Sequence, residues 1–121
     1  MAKIKSFEEL PVWQLARKFT SEIYRLTNSF SKGEMYGMTS QIRRAAVSIG
    51  SNIAEGFDRR TDKELTNYLS MARGSCAEIQ NDLYIALDLK YISEIEFKKY
   101  YQDTKKIAQQ LNGLMNYLRN V

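Results

Sequence analysis

Few residues in this 121-residue chain could perform covalent or metal chemistry. The sequence contains no histidine and one cysteine, Cys76, so the commonest general base and the usual zinc ligands are lacking. Cys76 falls on the apolar stripe of a predicted helix, and we interpret it as a core residue. Glu78 and Asp82 stand one helical turn apart and could hold a divalent metal, but we expect them on a solvated or salt-bridged face. We therefore predict a protein that is not an enzyme, with no metal and no cofactor.

Basic residues occur as adjacent pairs, which are the first candidates for binding phosphate groups. Two lysine pairs on the last predicted helix are seven residues apart, so equivalent members stack on one side of that helix. An arginine pair falls at a predicted turn, where side chains project freely. Such cations supply most of the sequence-independent affinity for nucleic acids, and a solvated face is the alternative. The candidate nucleic-acid-binding residues are Arg43, Arg59, Arg60, Lys98, Lys99, Lys105 and Lys106.

A stripe of mostly short polar residues runs along the segment from Gln41 to Gly56. Its members recur at spacings of three and four, beside an equally regular stripe of small apolar residues. A plain surface helix would carry interchangeable Lys and Glu, so this stripe predicts specific hydrogen bonds, and Arg44 could form an ion pair with Glu78. The candidate interface or structural polar network consists of Gln41, Arg44, Ser48, Asn52, Glu55 and Glu78.

Four local signals divide the chain into the helices that would position these residues. Ser or Thr is followed three residues later by Glu at Ser6, Ser31, Thr61 and Ser93, which is the capping-box pattern of a helix start. Apolar residues then recur at spacings of three and four, as in an antiparallel bundle. The sequence predicts an all-α, up-down-up-down four-helix bundle in one domain over residues 1–121, with helices at about 7–29, 33–56, 62–90 and 94–119.

The second and third helices are expected to form a hairpin that turns near Arg59. Counting outward from this turn places Arg44 opposite Gly74 and Ser40 opposite Glu78. The small residues at 45–46 of one helix and at 74–75 of the other would then face each other. Because small side chains allow helices to approach closely, we interpret Gly74 as a packing residue. The alternative is an exposed helix defect that costs about 1 kcal/mol relative to Ala.

Residues 41–56, QIRRAAVSIGSNIAEG, resemble the signature of four-helix-bundle proteins encoded in intervening sequences of bacterial 23S rRNA genes. The segment is also similar to accessory proteins of diversity-generating retroelements. Further matches are FEELPVW at 7–13, EMYG at 34–37 and ARGS at 72–75. The resemblance implies an all-α bundle that assembles as a homo-oligomeric ring, a pentamer, with nucleic acid or a nucleic-acid enzyme as its partner.

The chain has eight tyrosines, more than one four-helix core can enclose. Several must be exposed or buried against another subunit, where amphipathic rings are common. We favour the subunit interface, and stacking against nucleic-acid bases is the alternative. Self-association is thus expected independently of the family resemblance.

Composition limits the compartment and the partners. The net charge is +4 and the pI is 9.2, which permits phosphate binding without requiring it. No apolar run approaches the ~20 residues of a membrane span, and the N-terminus lacks the apolar core of a signal peptide. With one cysteine no intramolecular disulfide is possible, so we expect a cytoplasmic protein without a membrane partner.

Two functions fit these observations. The first is a non-enzymatic, oligomeric protein that binds nucleic acid, structured RNA in the first instance, through its phosphates. The second is a protein-interaction scaffold for a nucleic-acid enzyme such as a reverse transcriptase, without strong RNA affinity of its own. A small nuclease that uses Glu78 and Asp82 is a third and weaker reading.

Overall fold

The computed structural model describes residues 4–120, and these residues form four α-helices and no strand. The predicted all-α class is therefore confirmed. The predicted domain also includes residues 1–3 and 121, which lie outside the described residues. Short 3-10 turns at Phe7–Glu9 and Lys32–Glu34 precede the first two helices, and the helices are α1 Pro11–Thr27, α2 Met38–Phe57, α3 Asp62–Asp88 and α4 Glu94–Arg119.

Side-chain contacts between neighbouring helices show that the helices run antiparallel. Between α2 and α3, Ser75 reaches Ser48 and, further from the connecting turn, Asp82 reaches Gln41. In each of the other neighbouring pairs, α1 with α2, α3 with α4 and α4 with α1, the contacting residue numbers also rise along one helix and fall along the other. Each helix thus has two neighbours, in the up-down-up-down order.

The core lies on the bundle axis and follows the predicted stripes. All four helices contribute apolar side chains with less than 2% of their surface exposed. Burial of such side chains contributes about 1.5–3 kcal/mol each relative to exposure, which is the main term that holds the bundle together. The largest of them are Ile23, Ile42, Ile49, Ile53, Leu69, Ile79, Leu83, Ile107 and Leu111.

Helix α1 begins at Pro11 and not near residue 7 as predicted. The residue before a proline avoids the helical region, and Leu10 accordingly has an extended backbone with ψ 121°. Proline suits the first helical position because its missing N–H would be unbonded there. The predicted capping box of Ser6 and Glu9 does form, with Ser6 N–H donating to Glu9 Oε2 at 3.1 Å, but it closes the 3-10 turn that precedes α1.

Helix α2 begins at Met38 and not near residue 33, and the predicted capping box at Ser31 is wrong. Glu34 instead accepts from the Met38 N–H at 3.1 Å and from the Tyr91 hydroxyl at 2.6 Å. The bond from Tyr91, followed by the bond from Met38, lowers the pKa of Glu34 below its ordinary value. One carboxylate therefore caps α2 and ties it to the α3–α4 connection.

The other two predicted caps are present. Thr61 Oγ1 accepts from the Glu64 N–H at 3.1 Å, which is the hydroxyl half of the box. At Ser93 both halves form: the hydroxyl accepts from the Glu96 N–H at 3.1 Å, and the Ser93 N–H donates to Glu96 at 2.9 Å. Each cap contributes about 1 kcal/mol to helix stability.

Helix α3 ends at Asp88, two residues before the predicted position. Lys90 has φ 62°, in the left-handed region that usually takes glycine. This conformation lets the Tyr91 N–H donate to the Ala86 carbonyl at 2.9 Å and the Lys90 N–H to the Leu87 carbonyl at 3.0 Å. The pattern is a Schellman motif, which satisfies the last carbonyls and stops the helix.

The predicted register of α2 against α3 is wrong. Glu78 was expected opposite Ser40, but Gln41 bonds to Asp82, so α3 is shifted along α2 by more than one turn. Gly74 is consequently exposed, and a Cβ added to it would meet nothing within 4 Å. The close approach occurs at Gly56 instead, where an added Cβ would lie 2.6 Å from the Tyr68 Cβ.

Candidate nucleic-acid interface

Helices α1 and α4 carry an excess of basic side chains. These two helices carry eight basic and four acidic residues, whereas α2 and α3 carry four basic and six acidic residues. Because α1 and α4 are neighbours, the basic excess is carried by one pair of adjacent helices. We call the side that these two helices share the α1–α4 face and define it by its exposed cations Lys18, Arg25, Lys99 and Lys106.

A groove of about 140 Å³ runs between the two helices of this face. Its floor is apolar, its rim carries Lys18, Lys99 and Lys106, and its two carboxylates are Glu22 and Asp103. Lys99 Nζ lies 2.9 Å from Asp103 and 3.5 Å from Glu22. The hydrogen bond to Asp103 is the main reason that the pKa of Lys99 is raised. Lys99 is thus partly neutralised within the chain, whereas the ion pairs within residues 4–120 do not include Lys18 or Lys106.

The four candidate lysines of α4 fall on two sides of the helix. Lys99 and Lys106 face α1, as the groove shows. Lys105 faces α3, with its Nζ 5.6 Å from the centre of the Tyr101 ring. Lys98 stands seven residues before Lys105 and therefore shares its side.

The candidate arginines of the α2–α3 turn lie at the other end of the bundle. Arg59 donates to the Tyr68 hydroxyl at 2.8 Å and covers its ring at 4.9 Å, and Arg60 is exposed. The start of α3 lies beside Leu118 near the end of α4. Lys98 is twenty residues earlier on α4, about 30 Å away along the helix axis. The structure does not bring this arginine pair together with the lysine pairs.

Arg43 is held against the end of α1. Its Nε donates to Thr27 Oγ1 at 2.8 Å, and its Nη2 donates to Asn28 Oδ1 at 3.1 Å and to the Tyr24 carbonyl at 3.3 Å. The guanidinium also lies 4.6 Å from the centre of the Tyr24 ring. A cation that bonds the last carbonyl and side-chain oxygens of a helix stabilises its negative end, so these contacts give Arg43 a structural role.

Sequence reasoning missed the cations of α1. Arg17 and Lys18 form an adjacent pair like the others, and Arg25 follows Lys18 by seven residues. The same spacing argument that selected the lysines of α4 would have found them. Together with Gln14 and Ser21 they line a shallow depression on the outer side of α1.

Three of the six residues of the predicted polar network, Gln41, Ser48 and Asn52, make hydrogen bonds within the chain. Ser75 Oγ donates to Ser48 Oγ at 2.9 Å, and Asn52 Nδ2 donates to the Ser48 carbonyl and hydroxyl at 2.9 and 3.0 Å. Gln41 Nε2 donates to Asp82 Oδ1 at 2.7 Å. Glu55 is exposed on the same side of α2.

The predicted ion pair between Arg44 and Glu78 is absent, since the ion pairs within residues 4–120 both involve Lys99. The register shift is not the reason, because the observed pairs Ser48–Ser75 and Gln41–Asp82 place Glu78 level with Ala45, beside Arg44. Both side chains are exposed and line an open groove of about 710 Å³ on the α2–α3 side, together with Val47.

The expectation that Asp82 faces solvent is also wrong, since its side chain is fully buried. Burial raises the pKa of Asp82, the hydrogen bond from Gln41 opposes this, and the charge of Glu78 adds to the rise. Oδ2 of Asp82 has no hydrogen-bond partner. Glu78 is exposed and Asp82 is enclosed, so the two carboxylates do not present a common surface. Nor do any three His, Cys, Asp or Glu side chains among residues 4–120 lie close enough to hold a metal ion.

Two further expectations are confirmed. Cys76 is a core residue with 1% of its surface exposed, and burial raises the pKa of its thiol to about 12. Several tyrosines are exposed, as their number required: Tyr24, Tyr36, Tyr84 and Tyr117. None of the helices between residues 4 and 120 is both long and apolar enough to cross a membrane.

The fold and its charge distribution define a small antiparallel helical bundle with one basic face. The family model of the 23S rRNA-intervening sequence protein matches residues 8–113. The chain therefore belongs to this family, and the family predicted from residues 41–56 is confirmed.

A solved structure from Bacteroides thetaiotaomicron VPI-5482 is similar to this chain. It is described as a protein with unknown function from the S23 ribosomal protein family. The TM-score is 0.77 with 22% identity, over 86% of this chain and 97% of that one. At this identity the likeness shows the shared fold alone. No curated protein matches the chain.

Proposed function

We propose that this protein is a non-enzymatic, oligomeric nucleic-acid-binding bundle that holds structured RNA by its phosphates. The observation that carries the proposal is the concentration of basic side chains on the α1–α4 face, with the acidic excess on the other two helices. Such segregation is the electrostatic footprint of a phosphate-binding surface.

The geometry of the α1–α4 face supports contacts to several phosphates at once. Lys18 and Arg25 are seven residues apart on α1, and Lys99 and Lys106 are seven apart on α4. Each pair spans about 10 Å along its helix, and packed helices lie about 8–10 Å apart. The four cations therefore form two parallel rows across the groove. A phosphate bound in this position would compete with Glu22 and Asp103 for the ammonium group of Lys99.

The test is fluorescence anisotropy of a labelled structured RNA, titrated with protein over a salt series. The variant carries Lys18→Gln, Arg25→Gln, Lys99→Gln and Lys106→Gln. The matched control carries Arg44→Gln, Arg59→Gln, Arg60→Gln and Lys63→Gln, so both lose four positive charges. We expect the first variant to flatten the slope of log K against log salt by roughly 3 to 4, because each phosphate contact contributes about 0.9.

Two outcomes would contradict the proposal. No binding of the unmodified protein at low salt would reject phosphate binding altogether. An equal loss in both variants would show that net charge, and not the α1–α4 face, determines the affinity.

We further propose that the protein assembles as a homo-oligomeric ring, a pentamer, through its α2–α3 side. A ring needs two different surfaces on each subunit, and the open groove beside Val47 is one suitable surface. Val47 is 45% exposed there, and Met71, one turn before Ser75 on α3, is 49% exposed. Native mass spectrometry should give a closed oligomer that Val47→Glu converts to monomers. A monomeric unmodified protein would exclude the ring.

The second candidate function is a scaffold for a nucleic-acid enzyme such as a reverse transcriptase. It is favoured by exposed apolar side chains around the α3–α4 connection, where Leu89 is 51% and Ile95 is 81% exposed. Exposed apolar groups of this size are typical of protein-docking surfaces when they are contiguous. The double variant Leu89→Lys, Ile95→Lys should then lose binding to the purified enzyme and keep its RNA affinity. Unchanged binding to that enzyme would reject this role for the connection.

A further inference from the structure

Three aromatic rings pack against each other on the outer side of α3 and α4. Tyr84 lies 4.7 Å from Phe97 and 5.6 Å from Tyr101, and Phe97 and Tyr101 are stacked at 5.3 Å with an interplanar angle of 25°. Tyr84 is 50% exposed, and the other two rings are partly buried. We call these three residues the aromatic triad.

The triad is held in place by its own contacts. Each ring touches both of the others. Rings fixed in this way lose little conformational freedom when a ligand covers them. The triad is therefore a preorganised surface.

Two lysines accompany the triad. Lys105 lies over the Tyr101 ring at 5.6 Å, and Lys98 follows Phe97 directly in the chain. The ion pairs within residues 4–120 involve neither of them. The acidic residues Asp88 and Glu94 stand about one turn away, toward the α3–α4 connection.

Flat aromatic faces beside unpaired cations suit a ligand that has planar rings and a negatively charged backbone. Unpaired nucleotides have both, because every base offers a π-face and every linkage a phosphate. An apolar helix from a protein partner would use the rings but leave the lysines without partners. Charge complementarity therefore favours a single-stranded nucleic acid.

We infer that the aromatic triad is a stacking site for unpaired nucleotides, with Lys98 and Lys105 contacting the flanking phosphates. This inference rests on the proposed RNA binding and adds a second contact region to it. Helix α4 would present Lys99 and Lys106 to a stem on its α1 side, and the triad with Lys98 and Lys105 to an unpaired segment on its α3 side.

The experiment compares two labelled RNAs with the same stem, one blunt hairpin and one with a single-stranded tail that contains 2-aminopurine. The protein variants are Tyr84→Leu, which removes the most exposed ring, and Tyr84→Phe, which keeps the ring without its hydroxyl. Tyr36→Leu is the matched control, because Tyr36 is 97% exposed and lies outside the triad.

We expect Tyr84→Leu to bind the tailed RNA about tenfold more weakly, in line with the loss of one stacked base, and to lose the quenching of 2-aminopurine. Tyr84→Phe and Tyr36→Leu should keep both signals, and the blunt hairpin should bind all variants equally. Thermal melts should show that Tyr84→Leu is folded, because the side chain is half-exposed.

The remaining outcomes separate the two proposals. If the unmodified protein binds both RNAs equally and quenches no 2-aminopurine, the stacking site is rejected and phosphate binding stands. If Tyr84→Leu weakens the blunt hairpin as much as the tailed RNA, the triad has no preference for unpaired bases and the inference is overturned. If neither RNA binds, the proposed function itself fails.

Discussion

The α2–α3 contact and the α1–α4 contact close the same bundle in opposite ways. Between α2 and α3, short side chains and neutral hydrogen bonds such as Ser75 to Ser48 bring the helices together, and Gly56 leaves no room for a Cβ. Between α1 and α4, long charged side chains leave a groove of about 140 Å³. The first contact is made by short side chains and hydrogen bonds, and the second includes half-exposed ion pairs at the surface.

This difference separates the recognisable part of the sequence from the part that offers a binding surface. The segment 41–56 identifies the family, yet its Ser48 and Asn52 are occupied in packing α2 on α3. The cations of α1 and α4 belong to less distinctive segments. A family signature can therefore mark a structural requirement, because close helix packing tolerates fewer residue types than a solvated face does.

The largest expected effect is at the closest approach of α2 and α3. Gly56→Ala would place its Cβ 2.6 Å from the Tyr68 Cβ and 3.0 Å from Leu65 Cδ1. We expect the free energy of unfolding in urea to fall by about 3 kcal/mol, the upper part of the usual range for overpacking. Gly74→Ala is the matched control: it has open space and should gain up to about 1 kcal/mol from helix propensity. Similar effects at the two glycines would contradict the observed register.

A smaller loss is expected when the buried carboxylate between these helices loses its hydrogen bond. Gln41→Ala would leave both oxygens of Asp82 without a partner, which should cost about 2 kcal/mol. Gln109→Ala on the exposed side of α4 serves as the control, and chemical denaturation measures both. Equal stability of the two variants would mean that the bond from Gln41 to Asp82 contributes nothing.

The next predicted change depends on pH, and it raises the free energy of unfolding where Gly56→Ala and Gln41→Ala lower it. The pKa of Asp82 is raised by burial and by Glu78, so its contribution to stability is fully present below about pH 4 and is lost as pH rises through the raised folded-state value. Asp82→Asn should therefore stabilise the protein by about 1 kcal/mol near pH 7 and have little effect near pH 4. A stability difference that does not vary between these pH values would exclude ionisation of Asp82 as its cause.

The smallest effect is expected at the ion pairs between α1 and α4. Lys99 is 51% exposed in its contacts with Glu22 and Asp103, and exposed ion pairs contribute at most about 0.5–1 kcal/mol. Lys99→Gln should lower the free energy of unfolding by no more than about 0.5 kcal/mol, and less at high salt. Lys98→Gln controls for the loss of a charge from α4. A loss as large as that of Gly56→Ala would show that the two contacts do not differ as described.

Local patterns determined much of this structure. The spacing of apolar residues predicted the four helices and the buried position of Cys76, and the caps at Thr61 and Ser93 formed as expected. These features depend on residues within one or two turns of each other, so a single sequence contains the necessary information. The predicted starts of α1 and α2 were wrong because Pro11 and Glu34 set the first residue of each helix, and the serine capping patterns did not.

Tertiary structure alone decided which polar groups meet. The offset of α3 along α2 depends on the conformation of the turn between Phe57 and Asp62. The spacing of apolar residues within either helix does not encode that conformation. This offset made Gly56 the packing glycine in place of Gly74, gave Ser48 a partner in its own chain, and enclosed Asp82. The sequence by itself determined the helices, their order and the family. The packing of α3 against α2 decided which side chains were buried between them, and the meeting of α1 and α4 placed the basic side chains together on one face.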